Sequence, residues 1–356
     1  MASHGIPRYT VQERSEEARQ QELRKIENYQ ELDRLVQQKV AAHEYTPETL
    51  QSISELLSKN PEYYTVWNYR RRALQNEFSR ASAAGESAVG EITTLIKDDL
   101  QFLIPLLRKF PKCYWIWNYR LWLLDEAKRR LPVSVSRRLW EEELALVGKM
   151  LSLDSRNFHG WGYRRFVVES LEKLTTDEMR SGSMAQSEFD YAKKMIGTNL
   201  SNFSAWHYRT KLIQRLLNER SASDEERKKM LDDELNLIHR ALCDPYDQSL
   251  WFYHQNLMCT FDPTISEQTM APNLSDSERL DYLRGEMEEI QDMLDGAEDC
   301  KYVYQALIEC TLLISKVEGR LSNADQQKVL SWLSELKKLD PLRYGRWLDF
   351  ERSLSQ

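Results

Sequence analysis

Asn157-Phe158-His159-Gly160-Trp161-Gly162-Tyr163-Arg164-Arg165 is one copy of a segment that returns along the chain. Tyr64-Thr65-Val66-Trp67-Asn68-Tyr69-Arg70, Tyr114-Trp115-Ile116-Trp117-Asn118-Tyr119-Arg120, Phe203-Ser204-Ala205-Trp206-His207-Tyr208-Arg209 and Gln248-Ser249-Leu250-Trp251-Phe252-Tyr253-His254 share its spacing. The tryptophans fall at 67, 117, 161, 206 and 251, in steps of 50, 44, 45 and 45 residues. A fixed period of that length marks a repeat array whose units bury their apolar faces against one another.

Each unit follows one pattern. A first helix ends in a turn (Asn60-Pro61, Phe110-Pro111, Leu153-Asp154-Ser155, Thr198-Asn199-Leu200-Ser201, Cys243-Asp244-Pro245), and a second helix then opens with the aromatic group. Thr46-Pro47-Glu48 supplies an N-cap, a first-position proline and a first-turn acid. Acids at Asp99, Glu143, Glu188 and Glu234 precede their tryptophans by 18, 18, 18 and 17 residues. Length variation falls in Ser-, Gly- and charge-rich connectors such as 79–90 and 175–187, and an insertion at 261–277, with Pro263 and Pro272, predicts an exposed loop. Degraded copies follow at Asp299–Tyr304 and Leu339–Trp347, as expected of terminal repeats. Ahead of the array, residues 15–42 carry apolar Leu23, Ile26, Tyr29, Leu32, Leu35, Val36 and Val40 at helical spacing. Residues 1–15, with Gly5 and Pro7, read as a flexible arm and 16–356 as one all-α domain: a tetratricopeptide-like solenoid of six or seven helical hairpins.

Composition narrows the function classes. The 356 residues are 41% hydrophobic, and a formal charge of -7 is spread through interleaved acids and bases, which argues against a nucleic-acid surface. Five scattered cysteines without a CxxC pair point to a reducing compartment. No run of 18 apolar residues occurs, so the expectation is a soluble, cytoplasmic protein with no transmembrane segment.

In Trp-x-Tyr-Arg, Trp and Arg lie three apart, on nearly one helix face. The indole fills the groove between helix pairs, and the arginine reaches carbonyls or acids of the adjoining unit. Trp67, Arg70, Trp117, Arg120, Trp161, Arg164, Trp206, Arg209 and Trp251 are therefore assigned to packing and interface. Catalytic patterns are thin: HExxH, GxSxG and a phosphate loop are absent, and His207, His239 and His254 lack metal-like spacing. Taken alone, the chemistry describes a scaffold.

The repeated Trp-x-Tyr-Arg segments, with Asp154–Phe166 and Asp244–His254, resemble the alpha subunits of protein prenyltransferases over roughly 60–262 and less clearly over the whole chain. Within that family the sequence is most similar to the Rab (type II) geranylgeranyltransferase branch in a fungal-like short form: His4-Gly5 before a charged helix, the Asp247–Tyr253 repeat and the ending Asp340-Pro341-Leu342-Arg343 carry this likeness. The resemblance implies a right-handed alpha-alpha superhelix wrapped around a beta subunit that holds the catalytic zinc. It implies transfer of geranylgeranyl from geranylgeranyl diphosphate to carboxyl-terminal cysteines of a Rab GTPase presented by a Rab escort protein. Matched by position, the family's diphosphate-facing lysine falls on Lys112, with Tyr114 two residues on, and its subunit-boundary asparagine on Asn157. Cys113, between them, is given no role, and His4 reads as a tail residue. Two alternatives stay open: the alpha subunit shared by farnesyltransferase and type I geranylgeranyltransferase, and a non-enzymatic helical-repeat adaptor.

Overall fold

In the computed structural model, residues 15–83, 85–174 and 183–354 are described, and among them every regular element is a helix. A leading helix α1 (Glu16–Ala41) is followed by hairpins α2 (Pro47–Lys59)/α3 (Tyr64–Ser82), α4 (Ala88–Lys109)/α5 (Tyr114–Arg130) and α6 (Val133–Leu153)/α7 (Phe158–Lys173). Then come α8 (Ala185–Thr198)/α9 (Phe203–Glu219), α10 (Asp224–Ala241)/α11 (Gln248–Met258), α12 (Asp276–Met293)/α13 (Lys301–Glu318) and α14 (Asn323–Leu339)/α15 (Tyr344–Leu354). The chain divides into two compact units, Met1–Gly182 and Ser183–Gln356.

Periodicity explains the first helices. In α4 the buried set Ile92, Ile96, Leu100, Leu103 and Leu107 recurs at three- and four-residue steps, a stripe that faces the neighbouring helices. Three of the second helices start at side-chain caps: Asn157, Asn202 and Asp247 accept first-turn backbone N–H groups of α7, α9 and α11. Within the first unit α3 packs on α5 and α5 on α7; within the second, α9 packs on α11 and α11 on α13. The second helices thus form a continuous layer inside each unit. Gly160 permits the tight crossing of α6 and α7, since a Cβ there would stand 3.0 Å from Leu151 Cδ2.

Two segments differ from the sequence reading. The apolar stripe of α1 is only partly used: Leu32 and Val36 are buried, whereas Leu23, Ile26 and Leu35 are exposed. The 261–277 insertion is not an exposed loop throughout. Phe261, Met270, Ala271 and Leu274 are buried, and buried Arg279 donates to the carbonyls of Thr260 (2.8 Å), Pro272 (3.3 Å) and Leu274 (3.2 Å). A guanidinium has five donors to place, and this one places two on the loop's backbone and one on Thr260 just ahead of it, which holds the segment down. His4 lies outside the described residues.

Candidate functional site

The repeat arginine, the first-helix acid and the repeat tyrosine form one buried joint between consecutive hairpins. Arg120 in α5 grips Glu143 in α6 through two parallel bonds (Nε–Oε1 2.7 Å, Nη2–Oε2 2.6 Å), and Tyr163 in α7 donates to the same carboxylate at 2.6 Å. Arg70, Asp99 and Tyr119 repeat this one hairpin earlier, with Tyr119 donating at 2.6 Å. Arg209, Glu234 and Tyr253 repeat it in the second unit. Burial, ahead of the neighbouring carboxylate, pushes the phenols of Tyr119, Tyr163 and Tyr253 well above their ordinary value, so they remain donors. Arg164, also buried, sits in the same register.

The tryptophans tie the turns. Each indole N–H donates to the carbonyl six residues earlier: Trp67 to Pro61 (2.8 Å), Trp117 to Pro111 (2.9 Å), Trp161 to Ser155 (2.9 Å), Trp206 to Leu200 (2.8 Å) and Trp251 to Pro245 (2.6 Å). The residue four before the tryptophan then links that turn to its predecessor. Asn157 Nδ2 donates to Pro111 O at 2.9 Å, and its Oδ1 accepts from His159 N and Gly160 N. The Cys113 and Cys300 thiols make the matching bonds to Pro61 O (3.4 Å) and Pro245 O (3.1 Å). Cys113, to which the sequence reading assigned nothing, is therefore a turn tie; burial raises its thiol to about 11, which keeps the S–H in place.

Lys112 and Tyr114 flank that tie. The Lys112 side chain is 42% exposed and its Nζ stands 3.8 Å from Asp154 Oδ2, a loose pairing across two turns. Tyr114 is 53% exposed. Its hydroxyl accepts from Asn118 Nδ2 at 3.3 Å, and its ring lies 6.5 Å from that of His159 and edge-on to Trp115. Partial burial lowers His159, a shift that Lys112 reinforces and Glu62 opposes, so its imidazole is the neutral neighbour of an ammonium. Tyr64, stacked on Trp115, and exposed Phe158 extend the row. The first unit thus presents a half-exposed cation and phenol on an aromatic rim. Buried Asn157 holds the turn that carries them but presents nothing outward.

Beyond Trp251 the pattern changes. Tyr304 takes the indole's place and donates to Glu298 O at 2.9 Å, six residues back. His254 takes the arginine's place and meets Glu286 Oε2 at 2.9 Å, while His239 replaces the missing tyrosine and meets Glu286 Oε1 at 2.9 Å. Glu286 had not been singled out in the sequence, yet it stands 18 residues before Tyr304, the spacing of the earlier acids. At the last hairpin a 3₁₀ turn, Pro341–Arg343, replaces the usual turn, and the buried Trp347 N–H has no acceptor among the described residues. Among the described residues no group of three or more His, Cys, Asp or Glu is placed to hold a metal ion, and no helix is long and apolar enough to cross a membrane.

This two-helix unit with its buried tryptophan matches the model of the protein prenyltransferase alpha subunit repeat at residues 47–77, 96–127, 140–171 and 185–216. The chain belongs to the protein prenyltransferase alpha subunit family. Within it, the likeness runs end to end with fungal type-2 proteins. The geranylgeranyl transferase type-2 subunit alpha of Schizosaccharomyces pombe is 35% identical over 99% of this chain and 98% of its own length. The Saccharomyces cerevisiae protein of the same name is 33% identical over 97% and 98%. A solved structure, Candida albicans protein geranylgeranyltransferase-I complexed with GGPP, shares the fold at a TM-score of 0.62 over 92% of this chain and 91% of that one, with 21% identity.

Proposed function

We propose that this chain is the alpha subunit of a heterodimeric type-2 protein geranylgeranyltransferase. In this reading the turn bearing Lys112 and Tyr114 faces a prenyl diphosphate bound by a beta subunit. The end-to-end likeness to the fission yeast type-2 alpha subunit carries the proposal. The proposed reaction moves a geranylgeranyl group from geranylgeranyl diphosphate to carboxyl-terminal cysteines of a Rab GTPase presented by an escort protein. Zinc, which the family resemblance assigns to the beta subunit, would supply a thiolate at neutral pH.

The chain's own contribution is electrostatic. As the sulfur–C1 bond forms and the C1–oxygen bond to diphosphate breaks, negative charge grows on the leaving group, and donors aimed there stabilise the transition state more than the ground state. Lys112 suits that task because its ammonium is half exposed and only loosely paired with Asp154. Tyr114 adds a phenol on the same turn. Asn157, through Pro111 O, fixes the backbone from which both project.

Lys112→Ala in the co-expressed heterodimer should leave assembly intact and slow single-turnover transfer by roughly one to two powers of ten, the worth of a charge-assisted contact realised in the transition state. An unaltered rate removes Lys112 from the site. Substrate class is tested on the same preparation: a Rab with its escort should be prenylated and a CaaX peptide should not. The reverse result assigns the chain to the farnesyl and type I enzymes.

A further inference from the structure

The Lys112 turn faces an acid whose charge the fold does not need. Asp154 stands seven residues before Trp161, and its Oδ1 accepts the backbone N–H of Arg156 at 3.3 Å. At the same register Asn60, Asn199 and Asp244 accept the N–H groups of Glu62 (3.2 Å), Ser201 (3.0 Å) and Tyr246 (3.2 Å). The turn therefore asks for a side-chain oxygen, and Asn60 and Asn199 supply it without charge. What the carboxylate adds at 154 lies at its other oxygen. Oδ2 is shielded from solvent, accepts no hydrogen bond among the described residues and stands 3.8 Å from Lys112 Nζ. A shielded carboxylate oxygen without a donor is unfavourable unless a nearby cation offsets it.

The gap between the two charges is set by the turns that carry them. Asp154 N donates to Met150 O at 3.0 Å, Asp154 O accepts from Asn157 N at 3.2 Å, and Asn157 Nδ2 holds Pro111 O, next to Lys112. The turns are thus stapled together while their charged heads form an ion pair without a hydrogen bond. In the second unit the corresponding contact is closed. Ser201 and Tyr246, like Lys112 five residues before their tryptophans, donate directly to an acid of the following turn, Ser201 to Asp247 and Tyr246 to Asp299 at 2.5 Å.

We propose that Asp154 is a positioning residue that holds the Lys112 ammonium back from the ground-state diphosphate and yields it as negative charge grows on the leaving group. This role rests on the reading of Lys112 given above. A lysine closed onto its acid would not be released, and an unrestrained one would bind substrate and transition state alike, which lowers KM without speeding the chemical step. An ammonium held by field alone is drawn off when the charge on the departing diphosphate exceeds that of the carboxylate behind it.

The test is Asp154→Asn in the co-expressed heterodimer, a substitution that keeps the turn's acceptor as Asn60 and Asn199 do. Geranylgeranyl diphosphate, titrated by calorimetry, should bind roughly two- to five-fold more tightly, and single-turnover transfer to a Rab with its escort should slow roughly three- to ten-fold. Damage to the turn would instead weaken binding and slow transfer together. Both changes should vanish when Lys112→Ala is already present. Weaker or unchanged diphosphate binding, transfer that is not slowed, or changes of the same size in the Lys112→Ala background would each overturn the proposal, while Lys112→Ala alone still slows transfer. If Lys112→Ala itself leaves the rate unaltered, the reading of the site fails first and the role of Asp154 falls with it.

Discussion

Arg120 and His254 occupy the same slot, three residues after the repeat tryptophan, yet they build joints of different kinds. Arg120 closes a bidentate pair with Glu143 that Tyr163 completes, and all three groups are buried. His254 reaches Glu286 with one nitrogen, and the second contact comes from His239 on α10 instead of from a tyrosine on α13, where Ala306 stands. One joint is permanently charged. The other depends on protons. A repeat can therefore keep its geometry while exchanging a fixed ion pair for a titratable one.

The largest effect should come from breaking the fixed joint. Arg120→Ala leaves Glu143 buried with only Tyr163, and removal of one partner of a buried pair costs about 3–5 kcal/mol. The urea midpoint should fall accordingly; a midpoint within error of the parent would show that the pair contributes nothing to holding α5 on α6. Replacing both partners, Arg120→Met with Glu143→Leu, should recover most of the loss, because the desolvation of two charges is then also removed.

Much of this was visible in the sequence. The tryptophan period located the hairpins, the acids 17 or 18 residues before four of the tryptophans were counted, and the arginine was expected to reach carbonyls or acids of the adjoining unit; that its partner is this counted acid was not read, because that contact spans a distance the local period does not encode. Glu286 was missed for a related reason: its tryptophan has become Tyr304 and its tyrosine Ala306, so no signature flags it. Cys113 looked incidental because asparagine holds the same post in the next repeat, and a thiol and an amide share no residue class, only the ability to donate to the previous turn's carbonyl. Lys112 is where sequence physics said least. An exposed turn lysine looks alike with or without a task, and its assignment comes from family likeness.

A smaller effect separates Trp251 from Trp347. Both are buried, but Trp251 Nε1 donates to Pro245 O at 2.6 Å whereas Trp347 Nε1 has no acceptor among the described residues. Phenylalanine at 251 should lower stability by about 1 kcal/mol more than phenylalanine at 347, the net worth of one hydrogen bond plus part of the cost of an orphaned carbonyl. Equal losses in thermal melts of the two variants would mean that indole packing alone accounts for both.

The subtlest contrast is the response to pH. Glu286, held at about 2 against its burial by hydrogen bonds from His239 and His254, contributes stability that is present above the ordinary glutamate value and lost as pH falls through about 2. His239 is raised, first by its hydrogen bond to Glu286 and then by the charges of Glu286 and Glu289, with burial opposing. Its contribution is full below the unfolded histidine value near 6.5 and is lost as pH rises through the higher folded value. The histidine joint is therefore firmest between about pH 4.5 and 6.5 and loosens on the alkaline side, where the Arg120 joint keeps its charge. Hydrogen exchange of α12 amides should speed up between pH 6.5 and 8.5 beyond the intrinsic base catalysis, while α6 amides follow the intrinsic rate alone. His239→Asn should flatten the α12 response, since the proton that strengthens the contact is gone. If α12 and α6 show the same pH dependence in the parent chain, the histidines are packing groups and the joint is not titratable.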